Sequence, residues 1–327
     1  MDMECITCLR NPALGREKEC EIHPTEKPET VLVAGGGIAG LEAAIILKKR
    51  GHNPILCEAT DTLGGQFLTA GEAPRKKEMK AAAISMAKKA ERLGVDIRMN
   101  TKVTPELIEE IKPHTVMNAI GAESIVPQIS GVEKAFVKDS HDVLDGKTEV
   151  TGNVVVIGGG MVGMETAEYL VEKGLKVTVL EMLSDICSDM GTTRKICMGE
   201  EIQKSGIIPV TSVKVTEIGD GVVIGEKDGE KVEFSCDTAV LAIGAKKRDG
   251  SALAETCYKN SIGYFEIGDA AMARRALNAT REAMDAALTF DREDVHRDVS
   301  KPKKLVFITG ASGMMGGQTL KQLLARP

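Results

Sequence analysis

One spacing occurs twice in this chain and constrains its fold more than any other feature. Residues 31–51 read VLVAGGGIAGLEAAIILKKRG, and residues 153–182 read NVVVIGGGMVGMETAEYLVEKGLKVTVLEM. In each stretch a short β-prone apolar run meets a glycine turn, and a helix-forming run follows. A second apolar run then ends on an acid, Glu58 in the first copy and Glu181 in the second. The first glycine and the acid stand 23 residues apart both times, Gly35 to Glu58 and Gly158 to Glu181. This is the strand–turn–helix–strand–acid context that a dinucleotide fingerprint requires. Gly35 and Gly158 permit the tight turn. Gly37 and Gly160 let the backbone approach a pyrophosphate, and Gly40 and Gly163 let helix and strand pack closely. The phosphates would then face a helix N-terminus, where unpaired amides and the helix dipole favour negative charge. Ala39 lies in that first turn in one copy, and Met161 and Val162 in the other. Glu58 and Glu181 can accept hydrogen bonds from ribose hydroxyls. A single match of this kind can be an ordinary surface turn, whereas two copies with one spacing argue for two dinucleotides.

Two dinucleotide folds in one polypeptide call for a hydride donor and a hydride acceptor. The economical assignment is FAD in one fold and a nicotinamide cofactor in the other. The chain has 327 residues, room for two ordinary domains. Its 42 Lys+Arg against 48 Asp+Glu give a net charge of −6, so it lacks the basic surplus of a nucleic-acid binder. Apolar residues make up 43%, enough for a packed core, while aromatics are only 3%, too few for base-stacking platforms. The N-terminus has no apolar run of signal-peptide length, and glycines interrupt the apolar stretches well short of a bilayer span. A cytoplasmic protein with reduced thiols is expected.

Further segments carry a family resemblance. CEATDTLGGQF (57–67), MNAIGA (117–122), LAIGA (241–245) and FEIGDAAMARRALNATREAMDAA (265–287) are all present. With them, residues 1 to about 292 resemble the C-terminal half of the flavoprotein family of dienoyl-CoA reductase, enoate reductase and trimethylamine dehydrogenase. In that family an Old Yellow Enzyme barrel holding FMN precedes an iron–sulfur segment, an FAD domain and an NAD(P)H domain. The resemblance implies two doubly wound, Rossmann-like α/β domains of the pyridine nucleotide-disulfide oxidoreductase type, the second inserted in the first. It implies an N-terminal cysteine segment over 1–28, FAD-binding pieces at 29–130 and 246–292, and a nicotinamide domain at 131–245. It places Gly64, Gly65 and Gln66 along the FAD. Gly121 and Gly244 fall in the turns that return the chain between the two folds. Gly268 and Asp269 would hold the ribityl–phosphate part, and a helix starting near Ala276 would aim its N-terminus at the flavin. Reduced flavin carries negative charge, which such a terminus stabilises. A helix is also expected across Pro74 to Leu93, from the helical spacing of Met79, Ala82, Ala83, Met86 and Ala90.

Charge favours NADH over NADPH, because a carboxylate at Glu181 accepts from free ribose hydroxyls and repels a 2′-phosphate. Glu165, just past the third glycine, has two readings: contact with the nicotinamide end, or a packing or solvated role. Hydride transfer needs alignment of the two cofactors and no dedicated acid or base, so no catalytic residue is expected. The five histidines, at 23, 52, 114, 141 and 296, show no recognisable dyad and read as structural or surface residues. Three function classes stay open. One is an NADH oxidoreductase module feeding an iron–sulfur or FMN centre or an external acceptor, in the family for reducing enoate-type double bonds. The others are a non-catalytic nucleotide-binding module of a larger flavoenzyme and a reductase for a separate electron-carrier protein.

Cys5, Cys8 and Cys20 resemble the family's iron–sulfur segment, which would make them ligands of a [4Fe-4S] cluster. The family pattern needs another cysteine shortly after the second, and Leu9 to Ala13 supplies none. Cluster, zinc site, redox dithiol and unligated thiols stay open as readings. The other five cysteines are isolated, so a disulfide relay is not expected. After a charged stretch, residues 305–327 repeat the strand–glycine turn–helix pattern a third time, with Gly310, Gly313 and Gly316. Its TGxxGxxG form resembles short-chain dehydrogenases. A ribose-reading residue 23 places after Gly310 would fall beyond Pro327, so the segment is expected to be either the first βα unit of a truncated domain or a degenerate tail.

Overall fold

The computed structural model describes residues 6–188, 191, 199–200, 202 and 204–291. Cys5 and the third glycine segment lie outside the described residues. Two five-stranded parallel sheets organise the rest. The first is built from β1 (Thr30–Ala34), β2 (Asn53–Cys57), β3 (Asp96–Arg98), β4 (Thr115–Asn118) and, from far along the chain, β15 (Gly263–Glu266). Its spatial order is β15-β4-β1-β2-β3, with parallel pairing throughout. The second is built from β6 (Val137–Asp139), β7 (Asn153–Ile157), β8 (Lys176–Leu180), β9 (Ile208–Val210) and β13 (Thr238–Leu241). Its order is β6-β13-β7-β8-β9, again parallel. These are the Rossmann-like α/β sheets the sequence predicts.

The chain order fixes where a ligand can sit. From β1 it winds outward through β2 and β3, then crosses to β4 on the other side of β1. From β7 it winds through β8 and β9, then reaches β13 on the opposite flank. The carboxyl ends of β1 and β7 are therefore topological switch points, where connections diverge and leave a crevice. Both glycine turns leave their strands at these points.

Helix α1 (Ile38–Arg50) is buried almost all round because it runs between the first sheet and two neighbours, α3 (Lys77–Arg92) and the last described helix, α8 (Ala276–Thr289). Leu41 and Ile45 are fully buried there, each contributing about 1.5–3 kcal/mol of hydrophobic stabilisation. Gly51 ends α1 in a left-handed conformation (φ 92°), its N–H bonding to the carbonyls of Leu47 and Lys48. Between α1 and α3 lies one short helix, α2 (Gln66–Ala70). Other described helices are α4 (Pro105–Ile111), α5 (Ser140–Leu144), α6 (Met161–Glu172) and α7 (Ser251–Lys259). The N-terminal segment lies against α8, where Arg16 pairs with Asp285 at 2.8 Å.

Two smaller sheets complete the described residues. β5 (Ala122–Ser124) and β14 (Ala245–Lys247) form an antiparallel ribbon where the chain passes between the two large sheets. β10 (Lys214–Gly219), β11 (Val222–Lys227) and β12 (Glu230–Ser235) form an antiparallel meander on the second sheet's apolar face. Among the described residues no helix is long and apolar enough to cross a membrane.

Candidate functional site

The two glycine loops make the same close contacts at the same distances. Gly35 (φ +106°) and Gly158 (φ +107°) lie in a region only glycine adopts readily. A Cβ on Gly35 would stand 2.4 Å from the Ala119 carbonyl oxygen, and one on Gly158 2.4 Å from that of Ala242. Both contacts lie at the end of the strand across the switch point. A Cβ on Gly40 or Gly163 would stand 1.9 Å from the carbonyl oxygen of Gly35 or Gly158, so helix and loop are in contact. Gly37 and Gly160 differ: each caps its helix with ordinary extended backbone, and a Cβ there would meet nothing within 4 Å. The open space faces the helix N-terminus, where a pyrophosphate would approach. Ala39, Met161 and Val162 occupy those first helical turns.

The two acids are held alike. Glu58 accepts from the Gly36 N–H at 2.7 Å through one oxygen, and from the Thr60 N–H and hydroxyl at 2.8 Å through the other. Glu181 accepts from the Gly159 N–H at 2.6 Å and from the Leu183 N–H at 2.8 Å. Each carboxylate is thus fixed beside its glycine turn and keeps lone pairs for further donors.

The later predicted residues gather around the first loop. Gly64 donates its N–H to the Gly36 carbonyl at 2.8 Å, so the Leu-Gly-Gly-Gln turn pairs with the glycine loop backbone to backbone. A Cβ on Gly65 would stand 3.1 Å from the Gly37 Cα. Gln66 opens α2 and donates to the Ala122 carbonyl at 3.2 Å. A Cβ on Gly268 would stand 2.8 Å from the Ala39 Cβ, which brings the Ile-Gly-Asp turn onto α1. Burial pushes the Asp269 carboxyl above its ordinary range, against the Arg274 N–H that it accepts at 3.1 Å. Helix α8 starts at Ala276, as expected. Gly121 and Gly244 flank the ribbon; their carbonyls accept from Arg248 and Ile125 at 3.1 and 3.0 Å.

A cleft of about 630 Å³ opens between the two folds. The first fold contributes Gln66, Asp269, Arg274 and Asn278; the second contributes His141, Met161 and Val162, with Gly244 where the chain crosses back. The FAD-type cradle fits this chain: the glycine that must stay bare opens on empty space, while the glycines that must pack are in contact.

Some participants escaped the sequence. Lys76, just before α3, forms an ion pair with Glu165 on α6, and Arg75 pairs with Glu168 one turn further along at 3.0 Å. Both bridges join the first fold to the helix whose N-terminus faces the second dinucleotide site. Glu165 is therefore neither simply packed nor solvated. Among the described histidines, His141 is the one that lines the cleft. Its Nδ1 lies 3.0 Å from the Ser124 hydroxyl and 3.4 Å from Asp139. These partners are 15 or more residues apart along the strand connections, except Asp139, which caps α5. Of the other described histidines, His52 is buried beside Asp291, and His114 accepts from the Thr30 N–H at 3.1 Å.

The N-terminal thiols fit a cluster poorly. Cys8 is half-buried, and Cys20 is 5% exposed within the first fold's core. Burial pushes the Cys20 thiol above its ordinary value. Among the described residues no group of three His, Cys, Asp or Glu side chains could hold a metal ion.

Fold and site together define a two-dinucleotide flavoprotein with parallel sheets and a shared cleft. Residues 30–273 match the family model for pyridine nucleotide-disulphide oxidoreductase, and the chain belongs to that family. It is 38% identical over 241 residues to bilirubin reductase of Mediterraneibacter gnavus, covering 74% of this chain and 38% of the relative. It is 39% identical over 288 residues to NADH oxidase of Thermoanaerobacter brockii, covering 86% and 44%. A solved 2-naphthoyl-CoA reductase complex superposes with a TM-score of 0.82 at 28% identity, covering 86% of this chain and 43% of that one. The chain spans less than half the length of these relatives. They bear out the resemblance to the nucleotide-binding part of the enoate reductase group, whose members are flavin oxidoreductases.

Proposed function

We propose that this chain takes hydride from NADH onto FAD and passes the electrons to an acceptor outside its described residues. One observation carries the proposal: a single cleft is lined from the first fold by Gln66, Asp269 and Asn278 and from the second by His141 and by Met161 and Val162 at the start of α6. Bound FAD would supply two-electron acceptance and stepwise electron release. The protein's part is alignment. The amides at Gly37 and Gly160 face the two pyrophosphates, Glu58 and Glu181 take the adenosine riboses, and the ion pairs of Lys76 and Arg75 hold the folds in register. The fixed Glu181 carboxylate favours NADH, since a 2′-phosphate would face a buttressed anion.

The relatives' names supply the acceptor class. Bilirubin reductase, cinnamate reductase and 2-naphthoyl-CoA reductase act on conjugated unsaturated compounds. We propose that an FMN barrel domain or a separate carrier receives the electrons and reduces such a double bond. Anaerobic titration of the FAD-loaded chain with NADH, and separately with NADPH, tests the reading. Flavin absorbance should bleach at lower NADH than NADPH; FAD that stays oxidised under excess NADH would overturn it.

A further inference from the structure

We propose that His141 orients the nicotinamide end of the dinucleotide bound in the second fold, its Nε2 hydrogen-bonding to the carboxamide. The inference rests on the reading of that fold as a nicotinamide site and adds a residue that no glycine or acid motif marks.

Sheet order locates the two ends of the ligand. Glu181 follows β8, so the adenosine half lies on the β8 side of the α6 N-terminus. A dinucleotide crossing that terminus leaves its other half on the opposite flank, over β13 and β6. The chain end of β6 is Asp139, and α5 starts there with Ser140 and His141, both lining the cleft beside Met161 and Gly244. His141 therefore stands where the nicotinamide half would arrive.

The ring is held at one nitrogen. Asp139 caps α5, one oxygen accepting from the His141 N–H at 2.8 Å and lying 3.4 Å from His141 Nδ1. Ser124 meets the same nitrogen, its hydroxyl 3.0 Å from Nδ1, so the three side chains are no nucleophile relay, which needs serine and acid on opposite ring nitrogens. Nε2 has no hydrogen-bond partner among the described residues. What remains is a ring anchored at Nδ1 with Nε2 left to bond a ligand. A primary carboxamide offers both an N–H donor and a carbonyl acceptor, one of which matches Nε2 in either tautomer.

Calorimetric binding of NAD+ and of ADP-ribose, which lacks only the nicotinamide, to the full chain tests the inference. His141→Ala should weaken NAD+ about five- to tenfold, the loss of one neutral hydrogen bond, and leave ADP-ribose unchanged. His141→Gln, which keeps an acceptor, should recover part of the loss. Equal effects on both ligands, or none on NAD+ from properly folded Ala and Gln variants, would overturn the inference while leaving the site reading intact. A wild-type chain that binds neither ligand would overturn the site reading, and the inference with it.

Discussion

A methyl group added at Gly160 would point into open space, whereas one added at Gly163 would overlap the Gly158 carbonyl oxygen at 1.9 Å. The backbone at Gly160 (φ −72°, ψ −175°) suits any residue, so Gly160→Ala should fold with an unchanged melting temperature. It should nevertheless weaken NAD+ at least tenfold, because the methyl occupies the phosphate approach. Gly163→Ala should lower the melting temperature or fail to fold, since an overlap with backbone costs at least about 1–3 kcal/mol. Thermal melts paired with calorimetry separate the two. The same contrast holds at Gly37 and Gly40 for FAD. These positions were legible in the sequence because their constraint is local: a turn, a phosphate approach and a helix contact fall at fixed offsets from one strand end. His141 was not legible in that way. Its partner Ser124 comes from a strand on the far side of a loop, and a histidine after Asp-Ser carries no spacing that announces a site.

Elements show the same division. The strands β1, β2, β7 and β8 are apolar runs next to glycine turns, and α3 follows a helical repeat, so both were readable. The ribbon of β5 and β14 was not, because three-residue strands show no periodicity and owe their pairing to the crossing of the chain. The β11–β12 hairpin was available from its Asp228–Gly229 turn, both residues at positive φ (53° and 82°) between alternating strands, and was passed over. The bridges to α6 were hidden by separation, since Lys76 and Glu165 are 89 residues apart. They should matter unequally. The Lys76 side chain is 15% exposed and that of Arg75 58%, so Lys76→Met should lower the melting temperature more than Arg75→Met. Breaking one side of a buried pair costs about 3–5 kcal/mol, and the double change Lys76→Met with Glu165→Met should regain much of it. Helix α5 gives a pH signature. Asp139 sits at about 2 against an ordinary 3.8, so its contribution is full above its unfolded value and is lost as pH falls through the folded one. That contribution is about 2 kcal/mol. Asp139→Asn should therefore flatten the stability profile between about pH 4 and about pH 2, as followed by denaturant unfolding.

Across the whole molecule, one nucleotide-binding device occurs twice, and a single cleft is lined by residues of both folds. Each sheet places its glycine loop at a switch point, and α6 is tied by ion pairs to the fold that carries the other loop. Chain topology supplies the face-to-face placement: β15 and α8 return to the first sheet after the second is complete, and bring Asp269 and Asn278 to the cleft. If the two redox ends meet there, hydrogen passes between them directly, with no solvent exchange. Rapid anaerobic mixing of the FAD-loaded chain with NADH deuterated at the transferred position measures this. The account predicts that flavin bleaching is slowed by deuterium at that position and that the label leaves NADH. Bleaching at the same rate with either isotope, or reduction only when a soluble mediator is added, would contradict it.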